Sequence, residues 1–331
     1  MKSSAIAVSG LRKAYGDKAV LDGIDFEVAA GSVFSLLGPN GAGKTTTVNV
    51  LTTLLAADAG TVEVAGHDVV RATKQVRAAI GVTGQFAAVD ELLSGRENLQ
   101  LMADLKRVRS SDKVVGGLLD RFDLAESADK LSSTYSGGMR RKLDLAMTLV
   151  GNPQIIFLDE PTTGLDPRSR RTMWDIVREL VAEGTTIFLT TQYLEEADQL
   201  ADRIAVLNGG RLVAQGTADE LKRQIPGAHV RLRFADVHTL DEAARVLAGS
   251  TRDEQELTLR VPSDSGLKSL QGLLARLDEH TIAGAVDFSV HTPDLDDVFL
   301  ALTEQPEQPG QPGALTSELA SEHLDKEAIA Q

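Results

Sequence analysis

Apolar runs that alternate with helix-like segments predict an α/β protein with a largely parallel, doubly wound sheet. Each apolar run is short and is bounded by turn-forming residues, as expected for a buried strand. The segments predicted as core strands are 32–37, 155–158, 186–190 and 204–207, and those predicted as helices are 44–54, 138–150 and 169–183. In such a sheet, ligands bind at the carboxyl ends of the strands.

Two regions of the first part of the chain depart from this alternation. Two strand-like segments, 5–8 and 24–28, precede the first core strand and predict a small antiparallel sheet beside the core. Residues 86–135 change to helical spacing, with Ser110 among the candidate helix caps. This change predicts a helical subdomain that is inserted into the α/β core.

A boundary between two domains is predicted at Pro226-Gly227. The residues after it show period-two alternation and helix-like segments, which indicate a small α+β domain over 226–303. The preceding core, with its insert, would occupy residues 1–225. From 304 to 331 the chain is rich in Gln, Pro, Glu, Gly and Ala, which predicts a disordered tail.

A glycine-rich loop follows the first core strand and fits the pattern G-x-x-x-x-G-K-[ST]. Glycines allow positive φ angles and close approach of the backbone, and the N–H groups at the start of the next helix favour an anion. Lys44 would add a positive charge, and the Thr45 hydroxyl would be a ligand for Mg²⁺. A chance match is the alternative, but the flanking strand and helix argue against it. The residues predicted to bind the phosphates of a nucleotide are Gly38, Pro39, Asn40, Gly41, Ala42, Gly43, Lys44, Thr45 and Thr46.

Two acidic residues, Asp159 and Glu160, follow the apolar strand 155–158. At the tip of a buried strand beside a phosphate loop, Asp159 can hold Mg²⁺ through water. Glu160 can orient and deprotonate an attacking water molecule. The alternative is a strand that simply reaches solvent at an acidic turn. Because the glycine loop is present as well, we interpret the pair as catalytic.

A hydroxyl and a glycine pair, Ser136-Gly137-Gly138, open the predicted helix 138–150. They form a candidate second anion site, too far along the chain to be part of the first. Taken alone, these residues would indicate an ordinary helix start.

Composition narrows the possible functions of the 331-residue chain. A net charge of −14 argues against an electrostatic nucleic-acid binder. The absence of cysteine excludes disulfides and thiolate zinc sites, and the six histidines are scattered without ligand spacing. The start lacks the apolar run of a signal peptide, and no run of about 18 apolar residues occurs. We therefore expect a chain that stays in the cytosol.

Taken together and in this order, the motifs resemble those of the nucleotide-binding subunit of ABC transporters. The resemblance covers residues 5 to about 222. It implies a P-loop NTPase core with an antiparallel β subdomain and a helical insert, binding ATP and Mg²⁺. It also implies that Ser136, Gly137 and Gly138 contact the γ-phosphate bound by the opposite subunit. Two ATP molecules would then be sandwiched in a head-to-tail homodimer.

The same resemblance implies roles for four residues whose local patterns are uninformative. Tyr15 matches the aromatic residue that stacks on adenine. Gln85 matches the glutamine that joins Mg²⁺ and the attacking water to the helical insert. Asp166, in Gly164-Leu165-Asp166, matches the loop that crosses the dimer interface. Gln192 occupies the position of the switch histidine, so the expected catalytic residues are Lys44, Gln85, Glu160 and Gln192.

The sequence departs from the family pattern in two places. Tyr-Ser-Gly-Gly-Met stands where Leu-Ser-Gly-Gly-Gln is usual, which keeps the serine and glycines that contact phosphate. Gln192 replaces a histidine. Its amide can donate a hydrogen bond to the γ-phosphate, but it cannot carry a titrating charge near neutral pH. We therefore predict a pH–rate profile without a histidine ionisation.

A closer resemblance is to the daunorubicin/doxorubicin-resistance type of ABC ATPase. The segments that carry it are 83–85, 135–141, 164–170, 191–194 and 295–303. It implies an ATP hydrolase at the cytoplasmic side of the cell membrane that powers export of a drug-like compound through a separate polytopic membrane subunit. In this type the C-terminal domain is associated with dimer assembly and with holding the membrane subunit. Val298, Phe299, Leu300 and Leu302 could equally be the core of that small domain.

A soluble ABC ATPase in regulation or DNA repair, without a membrane partner, is the alternative function. The single ATPase cassette, the acidic charge and the absence of long coiled-coil heptads disfavour it. An importer subunit is disfavoured by the kind of C-terminal domain. No nucleic-acid partner is expected.

Overall fold

The computed structural model describes residues 4–85, 87–224, 229–263, 267–279, 285–291 and 293–303, so the predicted tail lies outside the described residues. The strands are β1 (Ser4–Tyr15), β2 (Lys18–Ala29), β3 (Val33–Leu37), β4 (Ala59–Val64), β5 (His67–Asp68), β6 (Ile80–Thr83), β7 (Ile155–Asp159), β8 (Thr186–Thr191), β9 (Arg203–Asn208), β10 (Arg211–Gly216), β11 (His229–Phe234), β12 (Thr251–Asp253), β13 (Thr258–Pro262) and β14 (Ala285–His291). The helices are α1 (Lys44–Leu51), α2 (Thr73–Ala79), α3 (Gly95–Leu105), α4 (Ser111–Arg121), α5 (Gly137–Leu149), α6 (Pro167–Ala182), α7 (Leu194–Leu200), α8 (Ala218–Gln224), α9 (Val237–Val246), α10 (Leu267–Glu279) and α11 (Leu295–Thr303).

The central sheet has six strands in the order β10-β9-β3-β8-β7-β6. Strands β9, β3, β8, β7 and β6 are parallel neighbours, and β10 is antiparallel to β9. Strand β8 lies between β3, which leads into the glycine loop, and β7, which ends at Asp159. The carboxyl ends of these three strands therefore meet at one edge of the sheet. The predicted α/β class and core strands are confirmed.

Alternate residues of the central strands belong to two different hydrophobic cores. Phe34 and Phe157 pack in one core, while Val33 and Ile156 pack in the other. A sheet covered on both faces needs apolar residues at successive positions, which explains the continuous apolar runs in the sequence. All five residues of β3 and all five of β7 are buried.

A second sheet, antiparallel and in the order β2-β1-β4-β5, packs beside the central one. Four phenylalanine rings join the two sheets. Phe26 of β2 lies 5.2 Å from Phe34, which lies 5.6 Å from Phe188, and Phe188 lies 5.5 Å from Phe157. These centroid distances fall in the favourable range for aromatic pairs. The antiparallel β subdomain predicted from the first two strands is thereby fixed to the core.

The helical insert contains α3 and α4, whose apolar faces pack with α5 in the second core. Helix α3 begins with a capping box, in which Ser94 Oγ accepts from Glu97 N and the Glu97 carboxylate accepts from Ser94 N. Such a pair satisfies two otherwise free N–H groups at a helix start. Ser110, a candidate cap from the sequence, stands at the start of α4 but makes no side-chain cap.

The C-terminal region forms a third sheet in the order β12-β13-β11-β14, with α9 and α10 packed in one core with it. Helix α11 does not pack in that core. Leu295 and Val298 are buried in a cluster with Leu37 and Ile204 of the central sheet. The apolar face of 295–303 therefore belongs to the core of the nucleotide-binding part, and the alternative that it forms the core of the small domain is wrong.

Within the described residues, none of the helices combines the length and the apolar character needed to span a bilayer.

Candidate functional site

The glycine loop between β3 and α1 has no room for side chains at two of its glycines. A Cβ atom on Gly38 would lie 2.4 Å from Leu207 O, and one on Gly43 would lie 2.7 Å from Leu21 Cδ2. Gly43 also has a φ of 112°, which L-residues rarely adopt. The loop is therefore held close against β2 and β9, and its backbone turns into α1 immediately before Lys44.

The ammonium group of Lys44 lies inside this loop. Its Nζ donates to Gly38 O at 2.8 Å and to Pro39 O at 3.2 Å, and it lies 3.5 Å from Glu160 Oε1. Lys44 and Glu160 are both buried. A buried ammonium group with three donors beside the free N–H groups of a helix start is suited to binding phosphate oxygens.

Thr45 and Asp159 bring two oxygen ligands together beside the loop. Thr45 Oγ1 donates to Asp159 Oδ2 at 3.2 Å, and Thr190 Oγ1 donates to Asp159 Oδ1. Mg²⁺ in nucleotide sites takes one or two protein oxygens and completes its shell with phosphates and water. The described residues contain no cluster of three or more His, Cys, Asp or Glu that could hold a metal. The two oxygens of Thr45 and Asp159 fit an ion whose other ligands are phosphate oxygens and water.

Glu160 is held in an unusual backbone conformation. Its φ is 50°, and its N–H bonds to Thr190 O at 3.0 Å and to Thr190 Oγ1 at 3.2 Å. Left-handed conformations at residues other than glycine cost energy and are concentrated at functional sites. Here the turn directs the carboxylate towards Lys44, and Thr163 Oγ1 donates to its Oε2 at 3.4 Å.

Two glutamines lie at the same edge of the central sheet. Gln192 directly follows β8, the strand between the glycine loop and Asp159, and is half-buried. Gln85 lies two residues after β6, the neighbour of β7, and is exposed. The topology thus places both at the carboxyl ends of strands that flank the acidic pair.

Gln192 is followed by an aromatic residue that connects the loop to α6. The guanidinium of Arg170 lies 5.1 Å from the centroid of the Tyr193 ring, and Tyr193 N donates to Thr191 Oγ1 at 2.9 Å. Cation–π contacts of this kind restrain loops on a helix surface.

The Ser136-Gly137-Gly138 segment starts α5. Ser136 Oγ caps the helix by accepting from Met139 N at 3.2 Å, and a Cβ on Gly137 would meet nothing within 4 Å. In the described part of the chain, no hydrogen bond or ion pair joins Ser136 to the glycine loop. The segment instead lies against α6, because a Cβ on Gly138 would be 2.7 Å from Ser169 Oγ.

Asp166 is the N-cap of α6. Its carboxylate accepts from Ser169 Oγ at 2.6 Å and from the N–H groups of Ser169 and Arg168 at 3.0 Å each. The hydrogen bonds from the Ser169 hydroxyl and N–H, followed by that from Arg168, hold the pKa of Asp166 below its usual range. Asp166 is thus a helix cap whose partner Ser169 contacts Gly138 of the Ser136 segment. No described hydrogen bond or ion pair joins Asp166 to Lys44.

Tyr15 lies at the end of β1, and it is 52% exposed. Lys13 Nζ lies 5.9 Å from the centroid of its ring. An exposed aromatic face at the rim of the molecule is available for stacking on a flat base.

One buried side chain at this site was not assigned a role from the sequence. Arg141 of α5 is 6% exposed, and its guanidinium donates to the main-chain carbonyls of Asp159, Glu160 and Pro161. Burial lowers the pKa of Arg141, and Asp144 opposes that effect. Burial likewise raises the pKa of Asp144, against hydrogen bonding from Ala88 N and the charge of Arg141.

The same arrangement of segments occurs in known proteins. A family-wide sequence profile described as ABC transporter matches residues 21–163. The daunorubicin resistance ATP-binding protein DrrA3 of Streptomyces coeruleorubidus is 51% identical over 307 residues, spanning 92% of this chain and 97% of the relative. The daunorubicin/doxorubicin resistance ATP-binding protein DrrA of Streptomyces peucetius is 48% identical over 310 residues, spanning 91% and 93%. A solved structure of cbiO1 from Clostridium perfringens, described as part of the ABC transporter complex cbiONQ, is 26% identical with a TM-score of 0.62, covering 66% of this chain and 91% of that one.

Proposed function

We propose a function for each part of the site from the premise that this chain belongs to the ATP-binding subunits of ABC transporters. Membership makes it an ATP-binding protein and an ATP hydrolase coupled to transport. The contact that supports the assignment of the catalytic residues is the buried approach of Lys44 to Glu160, 3.5 Å apart at the mouth of the glycine loop.

Lys44 and the loop amides bind the β- and γ-phosphates. On binding, the ammonium exchanges its contacts with Gly38 O and Pro39 O for phosphate oxygens. Thr45 and Asp159 would hold Mg²⁺, and Gln85, two residues after β6, would be a further ligand. When bound, Mg²⁺ neutralises charge on the phosphate oxygens.

Glu160 orients the attacking water and accepts its proton. We assign this role from the position of the carboxylate, which lies just after β7, 3.5 Å from Lys44 Nζ, and is shielded from solvent. Gln192, at the end of β8, donates a hydrogen bond to the γ-phosphate. Catalysis in this arrangement is chiefly positional and electrostatic, as is general for phosphoryl transfer.

A second copy of the chain completes each site. Ser136, Gly137 and Gly138 lie at the N-terminus of a 13-residue helix, with Gly138 against α6, and no described hydrogen bond or ion pair joins Ser136 to the glycine loop of the same chain. We assign them to the γ-phosphate held by a second copy, with Asp166 at the interface. Tyr15 stacks on the adenine.

The membrane partner docks at a cleft between the edge strand β6 and the helical insert. The cleft has a volume of about 340 Å³, and its lining is mostly apolar, with two basic residues, the acidic Asp144 and two threonines. Among these, Leu54 is 68% and Val82 39% exposed, and the lining also includes Met102 of α3 and Lys106, the residue that follows this helix. Exposed apolar surface in a concave site is typical of a protein interface. We therefore place the chain at the cytoplasmic side of the cell membrane, bound to a separate polytopic subunit.

The cargo is a drug-like, hydrophobic compound that the membrane subunit carries outward. The names of the relatives refer to daunorubicin and doxorubicin resistance, and the two match this chain over more than nine-tenths of its length. The soluble alternative, a regulatory or repair ATPase, gains no support from any described contact.

A transport assay tests the assignment. Affinity-tagged chain is purified from detergent-solubilised membranes, and inside-out vesicles that contain it are assayed for ATP-dependent uptake of doxorubicin by fluorescence. We expect one polytopic membrane protein to co-purify and uptake to fall to background in the Glu160→Gln variant. Co-purification of DNA alone, or uptake that is unchanged by Glu160→Gln, would contradict the proposed function.

A further inference from the structure

The guanidinium group of Arg141 is buried at the edge of the proposed catalytic site, where it donates several hydrogen bonds to main-chain carbonyls. Its Nε donates to Pro161 O at 2.8 Å, and its NH2 donates to Asp159 O at 3.3 Å and Glu160 O at 3.2 Å. Three consecutive carbonyls, including those of the proposed metal ligand and general base, are thus held by one side chain. The left-handed turn at Glu160 is the part of the backbone that these bonds restrain.

The same group also holds the segment that carries Gln85. Arg141 NH1 donates to Gly84 O at 2.7 Å, one residue before the glutamine. One helical turn later, Asp144 Oδ1 accepts from Ala88 N at 3.0 Å. The two side chains therefore bind the main chain at Gly84, next to Gln85, and at Ala88.

Arg141 and Asp144 also pair with each other, with NH1 and Oδ2 3.4 Å apart, and both are buried. A buried guanidinium requires a counter-charge and several acceptors, and here it has both. Because both residues belong to α5, the helix that begins with Gly137, the pair connects that helix to two catalytic segments. Asp144 in addition lines the cleft between β6 and the helical insert.

We propose that the Arg141–Asp144 pair is a positioning device that sets Glu160 and Gln85 relative to the start of α5. The inference rests on the roles proposed above for those residues. Neither side chain touches the nucleotide. Their effect is on the rate of hydrolysis, because small displacements of a catalytic group from its productive geometry cost large factors in rate.

Arginine is needed for this task. A guanidinium has five donors in one plane, and Arg141 uses them on carbonyls from two separate segments and on a carboxylate. A lysine retains the positive charge but has one nitrogen, which cannot reach both segments together. Arg141→Lys therefore separates the positioning function from the charge.

The experiment compares Arg141→Lys with Arg140→Lys in the full-length chain. Arg140 is the neighbouring residue of α5, and its side chain pairs only with Glu91, 3.0 Å away, in the described contacts. Each variant is measured for the dissociation constant of Mg-ADP, for kcat and KM with ATP, and for the intrinsic fluorescence of the single tryptophan, Trp174, as a check on folding.

We expect Arg141→Lys to bind Mg-ADP within about threefold of the wild-type affinity, while kcat per nucleotide-binding site falls about 10- to 100-fold. Arg140→Lys should match the wild type in both. Equal kcat values for the two variants would overturn the proposal. A fall in kcat that only tracks the loss of binding-competent protein would overturn it too, because that pattern indicates a purely structural role.

Asp144→Asn keeps the test decisive should Arg141→Lys fail to fold. The amide oxygen still accepts from Ala88 N, but the charge that holds Arg141 is lost. The proposal requires a lowered kcat with retained Mg-ADP affinity, and wild-type kcat would refute it. The Glu160→Gln variant distinguishes failure of this proposal from failure of the proposed function. If it hydrolyses ATP at the wild-type rate, Glu160 is not the general base, and the Arg141–Asp144 pair would have no catalytic base to position.

Discussion

At the scale of single residues, the site depends on loop positions that have no room for a side chain and on buried side chains that bind main-chain groups. Gly38 and Gly43 were predictable, because their lack of a side chain is a requirement of the loop itself. A role for Asp159 was predicted because an acidic pair ends an apolar strand in a chain that also contains the glycine loop, and that role stays a prediction. Arg141 was not, because its partners are main-chain carbonyls, and any residue type supplies a carbonyl.

Replacing Gln192 by histidine should introduce a titration that the wild type lacks. A neutral amide donates the same hydrogen bond across the pH range, whereas an imidazole gains charge near its usual pKa of about 6.5. We expect the ratio of kcat for Gln192→His to kcat for the wild type to change between about pH 6 and pH 7.5. Rate measurements from pH 5.5 to 9, with Gln192→Ala as the control for loss of the hydrogen bond, test this. A constant ratio would show that position 192 does not contact the reacting phosphate.

Glu196 should make the protein less stable as the pH rises. It is fully buried and accepts from Trp174 Nε1 at 3.2 Å, and burial raises the pKa of its carboxyl. Above about pH 4.5 the unfolded chain loses this proton while the folded protein retains it, so the free energy of unfolding declines until the folded-state pKa is passed.

Glu196→Gln removes that loss. Its free energy of unfolding should match the wild type near pH 4 and exceed it at pH 7, by about 1.4 kcal/mol for each unit by which the pKa is raised. Urea denaturation followed by Trp174 fluorescence measures the difference. A variant that is less stable than the wild type at pH 7 would mean that Glu196 is ionised in the folded protein.

At the scale of elements, hydrophobic periodicity predicted whether a segment is a helix or a strand, but it did not predict which core an element packs against. The strands 155–158 and 186–190 were found at nearly the observed bounds, because a sheet buried on both faces leaves a continuous apolar run. Helix α6 begins two residues before its predicted start, since Asp166 caps it and Pro167 opens it. The position of α11 could not be predicted, because an apolar helix face looks the same whichever core it covers.

The packing of α11 predicts a contrast between two leucines. Leu295 is 3% exposed in the cluster with Leu37, whereas Leu300 of the same helix is 51% exposed. Leu295→Ala should lower the free energy of unfolding by about 2–5 kcal/mol, and Leu300→Ala by less than about 0.5 kcal/mol. Denaturant unfolding of both variants gives the comparison. Equal, small effects would show that α11 does not stabilise the nucleotide-binding part.

At the scale of the whole molecule, the binding groups divide into two sets that no described hydrogen bond or ion pair between their members joins. Lys44, Thr45, Asp159 and Glu160 form one connected set, while Ser136, Gly137 and Gly138 form another, with Gly138 against α6. Both sets of residues can be recognised from the sequence, but the sequence does not show whether one chain brings them into contact. We therefore infer that a second copy of the chain supplies Ser136, Gly137 and Gly138 to each site.

The most direct measurement is the molar mass of the Glu160→Gln protein by light scattering, with and without Mg-ATP. Without the base, ATP remains bound and should hold two copies together, so the protein is predicted to be a monomer alone and a dimer with Mg-ATP. Mg-ADP is the matched control and should leave a monomer. A protein that binds Mg-ATP and remains monomeric would contradict the assignment of Ser136, Gly137 and Gly138 to the site of a second copy.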